Sequence, residues 1–161
     1  MKRKLRVGIL LGGKSVEHEV SLHSARNIIN ALDKKKYEVF PIGIDKEGKW
    51  HLNVSSNYLL NENHAKNIKL QKTSNEVSLL SHSSGVLTEI NSKKSKNKLD
   101  VVFPVLHGPY GVDGSVQGLL QLAGVPFVGA SVLGSAVGMD KDVMKILLRD
   151  AGINIAKFIV V

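Results

Sequence analysis

Cysteine is absent from the 161 residues, which removes disulfides, thiolate metal sites and cysteine nucleophiles together. No run of about 18 apolar residues occurs, so nothing in the chain reads as a membrane span. A signal peptide is missing too. The basic start Met1-Lys2-Arg3-Lys4 leads into only a short apolar stretch before Gly12-Gly13, too short and wrongly ended for an export signal. The expectation is a soluble cytoplasmic chain with no membrane partner. The dinucleotide pattern G-x-G-x-x-G is also lacking.

What is present is enough apolar residue, 43%, to build a real core in one domain, or in one domain plus the start of another. The net charge of +8 invites a nucleic-acid reading, and its distribution argues against one. Lys2, Arg3 and Lys4 carry three of the charges, and Lys93, Lys94, Lys96 and Lys98 carry four. A terminal tail and one polar loop, with no aromatic residue interleaved, read as solvated charge and predict no nucleic-acid partner.

Leu5 to Leu11 has the continuous apolar character of a buried strand. It stops at Gly12-Gly13, and Leu22, Ala25, Ile29 and Leu32 then recur at helical spacing, predicting a helix from Val16 or Val20 to Leu32. Asp33-Lys34-Lys35-Lys36 closes it, with cations at the helix's negative end. Tyr37–Ile44 is a second strand, so the opening is a βαβ unit. Trp50-His51-Leu52 fits the return strand of a hairpin. From about 45 to 98 the apolar segments are short and separated by Asn, Ser and Lys, which reads as an insertion of small strands with one helical turn, packed on the domain's side.

Regularity returns at Leu99–Leu106, a strand that runs into the shaped loop His107-Gly108-Pro109-Tyr110-Gly111-Val112-Asp113-Gly114. Val116, Leu119, Leu120 and Ala123 mark a helix ending at Gly124. A short strand is predicted over Val125–Val128, a small helix from Gly129-Ala130-Ser131 through Val137, and a last helix capped by Asp140 and ended by Gly152. The strand-like run Phe158–Val161 has no partner after it, and the expectation is that the sequence continues. The fold class is α/β: a Rossmann-like parallel sheet flanked by helices, with an insertion at about 45–98.

Gly8 to Ser15 matches G-x-x-x-x-G-K-S, the pattern of a phosphate-binding loop. Three of its four variable positions are Ile9, Leu10 and Leu11, which complete a hydrophobic strand, and Gly12 to Ser15 is too short to encircle a phosphate. The turn instead presents a helix N-terminus with Glu17 and Glu19 in its first turn. These carboxylates either complement the helix dipole or accept a ligand's ammonium group at the sheet's carboxyl edge. His107 is either a structural histidine or a catalytic one, and its place at another strand's carboxyl end puts it in the same crevice as Glu17. Lys141, on spacing alone, is a surface lysine in a helix's first turn.

Three blocks, Gly12–Leu22, His107–Gly118 and Met139-Asp140-Lys141, together resemble the D-alanine–D-alanine ligase family, and Gly43–Trp50 resembles its longer-chain branch. The resemblance covers essentially the whole chain. It implies an ATP-grasp ligase of peptidoglycan precursor synthesis, expected to be a homodimer, in which ATP phosphorylates one D-alanine and the amine of a second attacks the acyl phosphate. It further implies a substrate domain at 1–139, the start of the central ATP-grasp domain at 140–161, and magnesium ligands downstream of Val161. By resemblance Glu17 holds the first ammonium, Val20 and Ser21 line its pocket, His107 is the active-site histidine and Lys141 reaches ATP. Val112 stands where the family loop carries glutamate, removing hydrogen bonds that shape that loop. Because the family's remaining ATP-clamping residues, its arginine on the acyl phosphate and its magnesium ligands lie after Val161, the chain alone is expected not to ligate; the alternative is a non-catalytic, degenerate relative that binds ligands or partners.

Overall fold

The computed structural model describes residues 3–53, 58–60, 68–92 and 94–160, the side chains of Ser95 and Lys96 aside. Met1 and Lys2 of the basic tail, Lys93 of the polar loop and Val161 of the last run lie outside the described residues.

β1 (Leu5–Gly12) lies at the middle of a four-stranded sheet. On one side it pairs in parallel with β2 (Tyr37–Ile44), from Leu5 opposite Tyr37 to Gly12 opposite Ile44. On the other side it pairs in parallel with Val101–Pro104. Trp50–Leu52, labelled β3, adds antiparallel to β2 as the predicted hairpin return. A strand inside a parallel sheet is covered on both faces, which is why β1 is apolar without alternation. Its residues still sort by face. Val7, Ile9 and Leu11 pack with Leu22, Ala25 and Ile29 of α1 (His18–Ala31). Leu10 joins Val102, Leu106, Val116 and Leu120 on the opposite face, under α2 (Ser115–Leu122).

α1 has the predicted span and buries Ser21, Leu22, Ala25 and Ile29, one stripe at helical spacing. Lys34 donates its ammonium to the Ile29 carbonyl, so a cation does sit at the helix's negative end.

One helix per face leaves the sheet incompletely covered, and the insertion completes both faces. β4 (Leu59–Leu60) and β5 (Lys69–Leu70) pair antiparallel; Tyr58, Leu59, Ile68 and Leu70 extend the α1-side core. A second small sheet, β6 (Val77–Leu79), β7 (Val86–Glu89) and β8 (Ser95–Lys98), sends Val77, Leu79 and Leu87 into the other core. The insertion therefore reaches both faces rather than one side. No helical turn is found among its described residues.

β9 is Val101–Pro104. Beyond it, the strand predicted at Val125–Val128 is reduced to a single parallel bridge between Val102 and Phe127. Two bonds make it, from the Val102 amide to the Pro126 carbonyl and from the Val128 amide to the Val102 carbonyl. Pro126 has no amide to extend the ladder. α3 (Val132–Met139) is capped by Ser131, whose hydroxyl accepts from the Gly134 amide, and runs two residues past the predicted end. α4 (Lys141–Asp150) begins at Asp140, whose carboxylate accepts from the Asp142 and Val143 amides. Phe158 is not in a strand: no neighbouring edge meets it, and the Lys145 ammonium sits 4.9 Å from its ring centre.

Candidate functional site at the carboxyl edge of the sheet

β1 ends in a turn with little freedom. Gly12 and Gly13 have φ of +88° and +98°, and the Gly13 amide bonds back to the Ile44 carbonyl at 2.8 Å. A Cβ on Gly12 would stand 2.4 Å from that same carbonyl oxygen, a contact with backbone that no rotamer change relieves. Gly12→Ala should therefore lower the unfolding free energy by about 2–3 kcal/mol, combining left-handed strain with the clash. Urea denaturation checks this, and a loss below 0.5 kcal/mol contradicts it. The buried Ile9, Leu10 and Leu11 also confirm that no loop long enough to wrap a phosphate exists here.

Three serines tie this turn to the end of β9. Ser21 accepts from the Gly12 amide at 2.8 Å and donates to the Val105 carbonyl. Ser15 accepts from the Glu17 amide at 3.1 Å and donates to the His107 carbonyl at 2.7 Å. Ser24 meets the His107 ring at Nε2, 3.1 Å away. Each hydroxyl joins α1 or its approach to β9 or the loop after it, so Glu17 and His107 are held at one edge by a shared lattice of bonds.

Glu17 is the N-cap of α1 and is exposed. Its carboxylate lies against Gly108, where an added Cβ would come within 2.7 Å of Oε2 and 3.0 Å of the Ser15 Cβ. The glycine after His107, at φ +70°, is thus what lets the carboxylate approach the histidine's backbone. Glu19 is committed elsewhere. Lys46 donates to it at 2.8 Å and holds it below the ordinary carboxylate value.

Beside the turn is a cavity of about 110 Å³ whose walls include Gly13, Lys14, Leu106, His107 and Tyr110. Pockets for drug-sized ligands begin near about 300 Å³, so this one admits a ligand of a few heavy atoms and not a nucleotide. The Lys14 ammonium stands 5.3 Å from the Tyr110 ring centre, a cation–π pair at the cavity wall.

With Val112 where the resemblance puts a glutamate, other residues supply the loop's hydrogen bonds. Asp113 accepts from the Tyr110 and Ser115 amides at 2.8 and 3.0 Å, and Gln117 donates to the Gly111 carbonyl at 3.1 Å. Burial works to raise the Asp113 carboxyl, and the Ser115 and Tyr110 donors outweigh it, leaving it below its ordinary value. Val112 itself is 37% exposed.

The other residues named from the sequence fall in different places. Ser21 has no exposed surface, and its hydroxyl is used up between Gly12 and Val105. Val20 is half exposed on the first turn of α1. Lys141 opens α4 and donates to the Gly138 carbonyl at 3.0 Å. It lines a separate hollow of about 350 Å³ with Val112 and Gln117, so the structure does not bring it to Glu17 and His107. Ser15 and Ser24 were not singled out in the sequence. The signal for Ser24 is its place seven residues after Glu17 and three after Ser21, on one helical face.

A parallel sheet carrying polar side chains from the turn after β1 and the loop after β9, at the carboxyl edge where such folds place their ligands, defines a Rossmann-like α/β domain. Residues 6–130 match the family described as D-ala D-ala ligase N-terminus, and the chain belongs to that family. It is 53% identical over 156 residues to a D-alanine–D-alanine ligase of Oceanobacillus iheyensis, a match covering 96% of this chain and 42% of that protein. It is 51% identical over 158 residues to D-alanine–D-alanine ligase A of Escherichia coli K12, covering 97% and 43%. The fold matches the D-alanine–D-alanine ligase from Coxiella burnetii with a TM-score of 0.80 at 34% identity, over 97% of this chain and 44% of that one. It matches the VanG D-Ala:D-Ser ligase from Enterococcus faecalis at 0.78 and 36%, over 96% and 44%. The chain thus spans less than half the length of these relatives.

Proposed function

We propose that this chain is the N-terminal, substrate-holding segment of an ATP-dependent D-alanine–D-alanine ligase of peptidoglycan synthesis, working in the cytoplasm as a homodimer. The observation that carries the reading is the Glu17–Ser15–His107 arrangement at the sheet's carboxyl edge, beside a cavity sized for a ligand of a few heavy atoms. Glu17 accepts the ammonium of the first D-alanine. Val20 and Ser21 belong to the wall behind it, Ser21 by fixing the turn. His107 stands beside the carboxylate to be activated. ATP converts that carboxylate to an acyl phosphate, and the amine of the second D-alanine displaces phosphate to form the peptide bond.

Residues 1–139 form the substrate domain, and 140–161 open the central ATP-grasp domain, with Lys141 reaching ATP. α4 supports that division. It buries no residue, and Val143, Ile146 and Leu147 are 39–51% exposed, an apolar face suited to packing against further chain. Among the described residues no group of three or more His, Cys, Asp or Glu is placed to hold a metal. By the family resemblance, the magnesium ligands belong to the segment downstream of Val161.

Phosphoryl transfer needs its developing charge neutralised by cations, so the 161-residue chain alone should release no phosphate from ATP with D-alanine. Joined to the downstream portion of a related ligase, it should form D-alanyl-D-alanine. D-alanine-dependent phosphate release by the chain alone would overturn the first statement. A folded, joined protein that makes no dipeptide would overturn the second.

A further inference from the structure

We infer that Ser24 is a positioning residue that fixes the His107 imidazole in one tautomer, with the proton on Nδ1. The inference rests on the ligase reading only for what His107 then does.

The Ser24 hydroxyl lies 3.1 Å from His107 Nε2. A serine hydroxyl can give one proton or accept, so the direction depends on where that proton can go. Among the described residues Ser24 has no other partner. With the ring nitrogen as its partner, a hydroxyl that donates to it satisfies both groups. Nε2 is then the bare nitrogen and Nδ1 carries the hydrogen. Nδ1 has no partner among the described residues and remains available as a donor, and His107 forms part of the cavity wall.

The backbone of the same residue is held independently. Its carbonyl accepts from Ser15 at 2.7 Å, and its neighbour Gly108 is wedged against Glu17 and Ser15. Ser15 thus sets where the residue sits, while Ser24 sets which ring nitrogen bears the proton. A ligand carboxylate can accept from Nδ1–H and gains nothing from a bare nitrogen, which its own lone pairs would oppose. With Glu17 supplying an acceptor for ammonium and Nδ1–H a donor for carboxylate, the edge is matched to both ends of an amino-acid zwitterion.

Long-range proton–nitrogen NMR of the ¹⁵N-labelled chain reads the tautomer directly. The native chain should show His107 with a protonated Nδ1 and a bare Nε2. Ser24→Ala, with amide dispersion retained, should give a mixture of both tautomers, and Ser24→Thr, which keeps the hydroxyl, should restore one. D-alanine affinity should fall about three- to tenfold in Ser24→Ala and recover in Ser24→Thr, the scale of one lost hydrogen bond. A native His107 protonated on Nε2, or a tautomer unchanged in Ser24→Ala, overturns the inference. A tautomer that follows the hydroxyl while D-alanine binds neither chain upholds the role of Ser24 and counts against the ligase reading instead.

Discussion

Glu17→Gln in a ligase carrying this N-terminal segment should lower kcat/KM for D-alanine by on the order of 10²-fold, most of it in KM. Removing one partner of a desolvated charge pair costs about 2–5 kcal/mol, and each 1.4 kcal/mol is tenfold. In the chain alone Glu17 is exposed and water screens its charge. The full effect needs the crevice closed over a bound amino acid. The ammonium of the first substrate is not altered when its carboxylate is phosphorylated, so Glu17 binds ground state and transition state alike, and losing it raises KM more than it lowers kcat. Steady-state kinetics in the first D-alanine separates the two parameters. A fall in kcat with KM unchanged would instead place Glu17 among groups that act only at the transition state. Glu17→Asp should recover part of the loss, because the charge remains while the reach from the α1 N-cap shortens.

The residues that reveal this site in the sequence are those whose type departs from its surroundings. An apolar run ending in two glycines could only be a buried strand turning sharply, and Gly12 and Gly13 do adopt left-handed conformations there. His107 stood out as a polar residue at a strand end followed by a glycine. Ser15 and Ser24 gave no such signal, because serine is at home in turns and on helix surfaces. Only the pairing of β1 with β9 brings them to His107, 92 and 83 residues away. The same argument explains the insertion. Its short apolar segments indicated strands correctly, but which face each would cover depends on how much of the sheet α1 and α2 leave open. The strand predicted at Val125–Val128 failed for a local reason, since Pro126 interrupts the ladder after one bridge. At Phe158 the apolar pattern was strand-like, but pattern does not supply a neighbour.

Asp45→Ala should cost about 3–5 kcal/mol of stability, the range for removing one partner of a buried pair. Asp45 follows β2 directly and is 2% exposed. One of its oxygens accepts from the Glu47 and Lys49 amides at 3.0 and 2.9 Å. The other accepts from His51 Nε2 at 3.0 Å, with the Lys72 ammonium 3.3 Å away. His51 is 3% exposed, and its Nδ1 meets the Thr73 carbonyl at 2.9 Å. Both ring nitrogens thus face acceptors. Alanine would leave that ring and two amides without their acceptor, in the turn that joins β2 to β3 and, through His51, to the insertion.

Burial works to raise the Asp45 carboxyl. The bonds from His51, Lys49, Glu47 and Lys72 outweigh it and hold the group well below the ordinary carboxylate range. A group whose folded value is depressed contributes stability above its unfolded value, and loses it as pH falls through the folded one. The stabilisation from Asp45 is therefore complete above about pH 4 and declines in stronger acid, by up to about 1.4 kcal/mol per pH unit for one proton. Other carboxyls share this slope, since Asp100 and Asp113 are also held low, so the native curve alone does not isolate Asp45. The difference between native and Asp45→Ala chains does: it should shrink as pH falls below about 4. Urea unfolding at a series of pH values measures it. Parallel curves down to the acid limit would mean that the buried carboxylate is not the group that clips the β2–β3 hairpin to the insertion.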